Sequence, residues 1–429
     1  MTRALDVPSL TLDAWLERLE RQHPVAIDLG LERVARVGQR LGLQSRPLAR
    51  HVISVAGTNG KGSTVAMLDA LTRAHGLSCA TYTSPHLLRY NERLCIDGVE
   101  ADDALLIEGF ERVEAARLQG EPVSLTYFEA GSLAAFWAIA QKQPDVAVLE
   151  VGLGGRLDAV NIIDADVAIV TTVAQDHAAF LGTDIDAIGR EKAGIMRSDR
   201  PAVLGSRSLP ASVRGVADRL GAPVFALGDD YRREVAEQGW TWHGKRAGAS
   251  RLCLVSLPDP GLPLDNAATA LQALTLISLR LDEDCCRQAL AHVKLPGRMQ
   301  WLDNWCLDVA HNPHAAEYVA SRLAEGGKRG RRFGLLGMLV DKDAQGVVAA
   351  LSPVIDAWVV VTLEGDRARS AEQLAEVLVD QGRPVAHRAG SPQAGAEWLA
   401  ANMQEKDEVL VCGSFYTVAE VLAWCERRR

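Results

Sequence analysis

Residues 51–74 read HVISVAGTNGKGSTVAMLDALTRA and contain the pattern that decides the fold. An apolar run over 51–56 leads into a glycine-rich turn with a lysine over 57–64, and an amphipathic stretch follows. This order predicts a strand, a turn with inward-facing backbone amides, and a helix whose N-terminus favours a phosphate group. A glycine-rich turn without any ligand is the alternative interpretation.

The spacing within this turn differs from that of the most common phosphate loop. The common pattern needs a glycine five residues before the Gly-Lys pair and a hydroxyl side chain directly after the lysine. Val55 occupies the first of these positions and Gly62 the second. The form G-T-N-G-K-G-S is instead similar to that of ATP-dependent amide ligases related to the Mur ligases. The loop is therefore predicted to bind the phosphates of ATP.

Composition and charge argue against several classes of protein. The chain has 429 residues, 48% of them hydrophobic, which is enough for two or three domains. A net charge of −9 argues against a broad basic surface for nucleic acid. The lack of long apolar runs and of a secretion signal predicts a cytoplasmic protein. The eight cysteines lack metal-type or disulfide-type spacing and are expected to be reduced structural thiols.

Short β-branched apolar runs alternate with helical patterns, as in βαβ units. Their continuous hydrophobicity is typical of parallel strands buried on both faces, and ligands bind at the carboxyl ends of such strands. A Pro-Gly pair near 294–298 separates two such series. The prediction is an α/β protein with a P-loop mononucleotide-binding domain and parallel-rich sheet over 1–295, and a smaller Rossmann-like α/β domain over 296–429. Residues 225–260 are expected to form an edge or hairpin extension of the first domain.

Polar side chains follow three of these apolar runs. Ser84 follows CATY and could bind Mg²⁺, which prefers hard oxygen ligands, although a structural Ser-Pro turn is the alternative. Glu150 ends VAVLE and predicts a metal ligand, unless it pairs with the nearby Arg156. His177 is expected at the end of the strand VAIVTTV, where a metal-binding role is favoured over simple packing if other ligands lie nearby.

Two further stretches leave the role of their ionisable side chains open. Lys192 lies on a predicted helix beside Glu191, where a solvated surface lysine is the simpler interpretation. Asp308 and His311 lie at the end of the predicted strand WCLDVAH and could face a nucleotide, unless the Asn-Pro pair at 312–313 marks only a turn.

Ordered motifs over almost the whole chain resemble those of the bacterial bifunctional dihydrofolate synthase/folylpolyglutamate synthases. The motifs are IDLGLERV, VAGTNGKGST, SPHLLRYNER, SLTYFE, LEVGLGGRLDAVN, IGREKAGI, LDNAATA, LPGR, DVAHNPHAAEY, GMLVDKD and CGSFYTVA. The resemblance implies a monomeric two-domain ligase with ATP bound between its domains and one or two Mg²⁺ ions. It would join L-glutamate to dihydropteroate and to reduced folates through an acyl phosphate, with neither nucleic acid nor membrane as a partner.

The resemblance also implies roles for individual residues. Those implied to bind ATP are Thr58, Asn59, Gly60, Lys61, Gly62, Ser63, Asn266, Arg298 and Asp308. The implied Mg²⁺ ligands are Ser84, Glu150 and His177, with a carbamylated Lys192 helping to organise the metal. The implied pterin pocket contains Asp28, Leu29, Gly30, Thr126, Tyr127, Phe128, Leu157, Asp158 and Ala159. The expected catalytic residues are Lys61, Lys192 and His311, the last as a contact for glutamate or for the phosphorylated intermediate.

One departure and three alternative functions remain. Val160 occupies a position where the family often has threonine, which is expected to affect only substrate preference. A folylpolyglutamate synthase without the second activity is the nearest alternative. A Mur-type peptidoglycan amino-acid ligase shares the loop but finds no support in SLTYFE or IDLGLERV. A nucleotide-sensing regulatory protein would leave Glu150, His177 and Asp308 without a shared catalytic role.

Overall fold

The computed structural model describes residues 10–25, 27–246, 248, 250–327 and 330–428. These ranges exclude the first nine residues, on which the expected lack of a secretion signal partly depends. They also exclude the outer ends of both predicted domains. The described residues form two compact units. Unit 1 contains the residues up to His86, Tyr90–Val173 and Asp184–Val293, and unit 2 contains Leu87–Arg89, Ala174–Thr183 and the residues from Lys294 onward.

Unit 1 is built on an eight-stranded sheet with the order β4-β3-β2-β5-β1-β6-β7-β8. Its strands are β1 (His51–Ala56), β2 (Cys79–Tyr82), β3 (Leu94–Ile96), β4 (Val99–Glu100), β5 (Val146–Glu150), β6 (Val167–Val170), β7 (Ala202–Leu204) and β8 (Val224–Ala226). The strands from β2 to β8 in this order pair in parallel, and β3 and β4 add an antiparallel edge. The central strand β1 therefore delivers the glycine-rich turn to the carboxyl edge of the sheet.

The helices of unit 1 pack on this sheet or on one another through apolar faces. They are α1 (Leu12–Gln22), α2 (Glu32–Arg40), α3 (Lys61–Ala74), α4 (Asp103–Leu118), α5 (Tyr127–Lys142), α7 (Ile185–Ala193), α8 (Ala211–Leu220), α9 (Leu264–Leu276) and α10 (Glu283–His292). Helix α5 starts with a capping box, in which Thr126 and Glu129 satisfy each other's backbone amides. Most of α5 is buried, which explains why its sequence is apolar on nearly every side.

A separate three-stranded antiparallel sheet follows in unit 1, with the order β11-β10-β9. Its strands are β9 (Arg232–Val235), β10 (Trp240–Lys245) and β11 (Arg251–Leu257). Trp242 anchors this sheet, since it is fully buried and its indole N–H donates to the Ala268 carbonyl of α9 at 3.1 Å. The sequence predicted an edge or hairpin extension of the first domain over 225–260, and the structure has a separate antiparallel sheet there within unit 1. Ala247 and Ala249 of this region lie outside the described residues.

Unit 2 contains a six-stranded sheet with the order β12-β13-β17-β14-β15-β16. Its strands are β12 (Gln300–Leu302), β13 (Trp305–Leu307), β14 (Arg332–Leu336), β15 (Ala357–Val361), β16 (Val385–Ala389) and β17 (Glu408–Cys412). All neighbours pair in parallel except β12 and β13. The helices are α6 (Ala178–Leu181), α11 (Pro313–Glu325), α12 (Ala344–Leu351), α13 (Ala371–Asp380), α14 (Pro392–Asn402) and α15 (Phe415–Arg428).

Both faces of the unit 2 sheet are buried. Along β17, Val409 and Val411 belong to one hydrophobic cluster, and Leu410 and Cys412 belong to another. This alternation between two cores explains the continuous apolar run EVLVC. The predicted α/β class, with a parallel-rich sheet and a smaller second α/β sheet, is confirmed.

Two of the expectations drawn from composition can be compared with the structure. All eight cysteines are free thiols, as predicted. Among the helices of the described residues, none has the length and apolar character needed to cross a membrane.

Candidate functional site

The glycine-rich turn lies between β1 and α3 and is held by the segment that follows β6. The Thr58 amide donates to the Thr172 carbonyl at 2.8 Å, and the Asn59 amide donates to the Thr172 hydroxyl at 3.0 Å. The Thr171 hydroxyl donates to the Asn59 carbonyl at 2.7 Å. These bonds fix the backbone of the turn, while the first amides of α3 have no partner within the helix. An anion at this end of the helix could therefore accept hydrogen bonds from these backbone amides.

Lys61 is the first residue of α3 and bends back over the turn. Its Nζ donates to the Gly57 carbonyl at 3.1 Å and to the Thr58 carbonyl at 3.4 Å. The ammonium group therefore lies at the mouth of the turn, where a phosphate could exchange with these carbonyl contacts.

Gly60 and Asn266 form a close contact between the turn and α9. Gly60 has a φ of +86°, and a Cβ there would lie 2.7 Å from the Asn266 Nδ2. The same Nδ2 donates to the Ser63 hydroxyl at 2.8 Å, and Asn266 is buried. The structure thus brings together Asn266 and the loop residues that the resemblance assigned to ATP.

Replacing Gly60 by alanine tests whether this contact matters beyond backbone strain. Gly76, just after the other end of α3, is a matched control, because its φ is +75° and a Cβ there meets nothing within 4 Å. We expect Gly76→Ala to lower the free energy of unfolding by about 1 kcal/mol and Gly60→Ala by about 3 kcal/mol. Only Gly60→Ala should raise the KM for ATP. Equal effects of the two variants in urea denaturation and ATP kinetics would contradict the assignment.

Glu150 ends β5 next to the strand that leads into the turn. The β1–β5 register pairs Glu150 with Val55, two residues before the turn begins. Glu150 is buried, and its Oε2 accepts a hydrogen bond from the Ser84 amide at 3.3 Å. Arg156, the predicted alternative partner, forms its ion pair with Glu191 instead, at 2.8 Å. The hydroxyl of Ser84 and the carboxylate of Glu150 therefore lie close together.

These two side chains suit a hard divalent cation such as Mg²⁺, since both offer oxygen. Across the part of the chain that the structure describes, no group of three or more His, Cys, Asp and Glu side chains could hold a metal ion. A magnesium ion bound here would therefore depend partly on oxygens from hydroxyl groups, water and phosphate, which is usual for Mg²⁺ bound with a nucleotide.

His177 does not lie at the end of a strand, so that prediction was wrong. β6 stops at Val170, which pairs with Ala56 at the end of β1. Thr171 and Thr172 then bond to the glycine-rich turn, as described above. His177 follows in the segment Ala174–Thr183, which belongs to unit 2, and it starts the short helix α6 with a φ of 52°.

Lys192 is buried, with 4% of its surface exposed, so the simpler interpretation of a solvated surface lysine was wrong. α7 packs against the glycine-rich turn after β5, where a Cβ on Gly155 would lie 2.7 Å from the Glu191 carbonyl. The side chain of Glu191 forms an ion pair with Arg156, whose side chain is exposed. The side chain of Lys192 is therefore shielded from solvent.

The residues implied to bind the pterin fall into two groups in unit 1. Arg33 joins the first group, since it donates to the Asp28 carbonyl at 2.7 Å and to Glu129 of the capping box at 3.0 Å. This brings Asp28 close to Thr126 at the start of α5. Leu29 and Gly30 follow Asp28 in the chain and are partly exposed.

Asp158 organises the second group, the turn that contains Leu157 and Ala159. Its carboxylate accepts the Leu153 amide at 2.8 Å and the Val160 amide at 3.0 Å. Burial raises the pKa of Asp158 to about 6, although these amides oppose the shift. Phe128 lies against this turn, because a Cβ on Gly152 would lie 2.6 Å from its ring.

Arg93 is a residue of this region that the sequence did not single out. Its guanidinium lies over the ring of Tyr90 at 5.1 Å and over the ring of Tyr127 at 5.4 Å. Its Nε donates to His86 Nδ1 at 2.9 Å, and burial together with Arg93 lowers the pKa of His86 to about 4. The motif SPHLLRYNER contains all but one of these residues, but its spacing does not reveal the stacking on Tyr127.

In unit 2, Asp308 follows β13 and is buried. Its two oxygens accept the Met299 amide at 2.9 Å and the Ala310 amide at 2.8 Å. Burial raises the pKa of Asp308, opposed by the charge of Arg298. The Arg298 guanidinium lies over the ring of Phe415 at 5.2 Å. Asp308 therefore holds together two segments, the one before β12 that contains Arg298 and the one after β13 that contains His311.

Asp176 and Lys342 were missed by the sequence interpretation and meet His311 in unit 2. The Asp176 Oδ2 lies 3.2 Å from His311 Nε2, and Lys342 Nζ donates to the other oxygen at 2.5 Å. Burial acts to raise the pKa of Asp176, but the hydrogen bond to His311 and the charges of His311, His177 and Lys342 hold it well below its usual range. The pattern Asp-Lys-Asp at 341–343 does not indicate that its lysine is buried.

Comparison with known protein families identifies the class. The Mur ligase middle domain matches residues 55–206, which include the glycine-rich turn, Glu150 and Lys192. The glutamate ligase domain of the Mur ligases matches residues 297–415, which include Arg298, Asp308 and His311. The chain therefore contains the middle domain and the glutamate ligase domain that the Mur ligases have.

More similar relatives narrow the class to one family. The dihydrofolate synthase/folylpolyglutamate synthase of Escherichia coli is 45% identical over 97% of this chain and 96% of its own. The chain belongs to the dihydrofolate synthase/folylpolyglutamate synthase family, as the sequence motifs predicted.

Solved structures of relatives superpose closely. E. coli FolC in complex with DHPP and ADP has a TM-score of 0.92 at 44% identity, covering 98% of this chain and 99% of that one. A bifunctional folylpolyglutamate synthase/dihydrofolate synthase with Mn, AMPPNP and L-glutamate bound has a TM-score of 0.88 at 44% identity, covering 97% of this chain and 98% of that one.

Proposed function

We propose that this protein is an ATP-dependent ligase that joins L-glutamate to dihydropteroate and to reduced folates. The observation that carries the proposal is the β1–β5 register, which places the buried carboxylate of Glu150 beside the strand entering the phosphate loop. The relatives named above support the choice of substrates.

The reaction needs two steps because a carboxylate is a poor acyl donor. The carboxylate of the pteroate or folate first takes the γ-phosphoryl group of ATP, giving an acyl phosphate and ADP. The amine of L-glutamate then attacks the acyl carbon, forms the amide and releases phosphate. Lys61 and the amides at the start of α3 neutralise the charge that spreads over the transferring phosphoryl group.

The nucleotide and metal ligands are part of the proposal. ATP would be bound by Thr58, Asn59, Gly60, Lys61, Gly62, Ser63, Asn266, Arg298 and Asp308. One or two Mg²⁺ ions would be held by Ser84, Glu150 and His177 and would offset the negative charge of the phosphates when bound. The oxygen donors of Ser84 and Glu150 support this set, and so does the Mn ion in the related structure.

Lys192 is proposed to be carbamylated, so that its amine becomes a carboxylate-like group that helps to organise the metal. The support is its burial in α7, because removal from water favours the uncharged amine that reacts with carbon dioxide. His311 is proposed as a contact for L-glutamate or for the acyl phosphate.

The pterin would bind to Asp28, Leu29, Gly30, Thr126, Tyr127, Phe128, Leu157, Asp158 and Ala159. The stacking of Arg93 on Tyr127 and the packing of Phe128 against Gly152 support a shaped aromatic pocket in unit 1. On the resemblance alone, residues 1–295 would form the ATP- and pterin-binding domain and residues 296–429 the second domain of a cytoplasmic monomer.

Phosphate release from ATP by the purified protein tests the proposal. We expect release with dihydropteroate plus L-glutamate and with tetrahydrofolate plus L-glutamate, each with an amide product visible by mass spectrometry. Phosphate release with tetrahydrofolate as the only active acceptor would indicate a folylpolyglutamate synthase without the second activity. Release only with a muramyl acceptor would indicate a peptidoglycan ligase, and ATP binding without turnover on any acceptor would indicate a nucleotide sensor.

A further inference from the structure

Asp176 has no role among the ligands of the proposed reaction, but it is the centre of a polar cluster in unit 2 that includes His311. Its side chain contacts His311, Lys342 and Asn312, the last through the Asn312 Nδ2 at 3.3 Å. The side chains of Asp176 and Lys342 are only 9% and 8% exposed. A buried carboxylate is costly unless it is paired and hydrogen-bonded, and Asp176 meets both conditions.

Three distant parts of the chain meet in this cluster. Asp176 belongs to the segment Ala174–Thr183, His311 and Asn312 precede α11, and Lys342 lies in the loop between β14 and α12. Asp176 is 135 positions from His311 and 166 positions from Lys342. Local chain geometry therefore does not create these contacts, and each side chain has to be placed by the fold of unit 2.

The imidazole of His311 is held at both nitrogens. Its Nδ1 lies 2.9 Å from the Val309 carbonyl, and its Nε2 lies 3.2 Å from Asp176. Two contacts on opposite sides of the ring fix both its plane and its direction, and the ring of Phe415 lies 6.4 Å away between centroids. The Val309 contact is local, because the two residues are two positions apart. Asp176 is therefore the partner that fixes the outer end of the ring.

We propose that Asp176 is a positioning residue that orients the imidazole of His311 toward L-glutamate or the acyl phosphate, with Lys342 and Asn312 holding the Asp176 carboxylate in place. The inference rests on the proposed function, which supplies the role of His311. Lys342 and the His177 amide donate to one oxygen of Asp176, and His311 and Asn312 contact the other, so the carboxylate cannot rotate freely. This division of its two oxygens distinguishes Asp176 from a simple ion-pair partner of Lys342.

Asp176→Asn tests the inference, because it keeps the shape of the side chain and removes its charge. With ATP and dihydropteroate saturating, we expect kcat/KM for L-glutamate to fall by about 10- to 100-fold, as is typical when the partner of a functional histidine is lost. The KM for ATP should change by less than about 2-fold. Lys342→Met should produce a similar loss, since Asp176 would no longer be held.

Asp341→Asn is the matched control. Asp341 also lies beside Lys342, at 4.0 Å, but its main partner is Arg367 at 2.7 Å and its side chain is partly exposed. Exposed ion pairs contribute little, so this variant should keep kcat/KM for L-glutamate within about 2-fold of the wild type. Thermal unfolding of all variants shows whether a loss of activity reflects a loss of fold.

Two further measurements separate positioning from simple stabilisation. In a His311→Gln background, Asp176→Asn should cause little further loss of kcat/KM for L-glutamate, because the group that it orients is gone. Nitrogen-15 NMR of labelled histidine should show a shift of the His311 resonances in Asp176→Asn but not in Asp341→Asn. Fully additive losses, or His311 resonances that do not change, would overturn the inference.

The inference and the proposed function fail in different ways. A wild-type protein without pteroate-dependent or folate-dependent turnover would refute the function, whereas the NMR comparison would still report on the contact between Asp176 and His311. An active wild type with an equally active Asp176→Asn variant would refute the inference alone.

Discussion

Lys61→Ala is expected to abolish ligase turnover while leaving the fold intact. The Nζ of Lys61 bonds only to the carbonyls of Gly57 and Thr58 in the turn, at 3.1 and 3.4 Å, and makes no ion pair among the described residues. Alanine is a good helix former at the first position of α3, so the cost in stability should be small. The loss falls on phosphoryl transfer, where a missing cation is expected to reduce kcat by about 10³-fold or more.

The measurement is kcat with ATP, dihydropteroate and L-glutamate, together with circular dichroism and thermal unfolding. Lys142→Ala is the control, because Lys142 is exposed at the end of α5. The control should match the wild type in both activity and stability. A Lys61→Ala enzyme with a kcat close to that of the wild type would refute the role assigned to this lysine.

Lys192→Ala is expected to reduce kcat by about 10²-fold or more, because the proposed carbamate would no longer help to organise the metal. Small carboxylic acids such as acetate should restore part of the activity, since they can occupy the space left by the side chain and supply a carboxylate. Lys61→Ala is the matched control for this rescue. Its lost group is a cation, and the same acids should not restore it.

Mass spectrometry checks the modification itself. In bicarbonate buffer, the wild-type protein should carry an added carbon dioxide at Lys192 that the Lys192→Ala variant lacks. Wild-type protein without a carbamate under these conditions, and a variant insensitive to carboxylic acids, would count against the proposal. Thermal unfolding is needed here too, because Lys192 is buried and its removal leaves a cavity.

The main architecture could be predicted from the sequence because each strand and helix has a local sequence pattern. The run before Gly57 is mostly apolar and the run after Lys61 is amphipathic, so the strand, turn and helix follow directly. EVLVC could be assigned to a buried parallel strand because both faces of the sheet are covered. The positions of the phosphate loop and Glu150 could be predicted for the same reason, since the loop directly follows β1 and Glu150 is the last residue of β5.

The features that were missed depend on contacts between distant residues. Lys192 was interpreted as a surface residue because its helix gives no sign of the glycine-rich turn that packs against it, more than 30 positions earlier. β6 ends where its partner β1 ends. The sequence predicted a longer strand because the residues that follow Val170 continue the run VAIVTTV. The contact between Asp176 and Lys342 joins residues 166 positions apart, and no local sequence pattern predicts such a contact.

The segment Ala174–Thr183 also affects how the chain can be divided. It packs with the C-terminal unit, although both of its ends continue into unit 1. A fragment beginning near residue 296 would lack this segment, and Lys342 would lose the carboxylate of Asp176, the nearer of its two acidic partners. Removing one partner of a buried ion pair is strongly destabilising, so an exchange between relatives at that linear boundary would have to restore this contact.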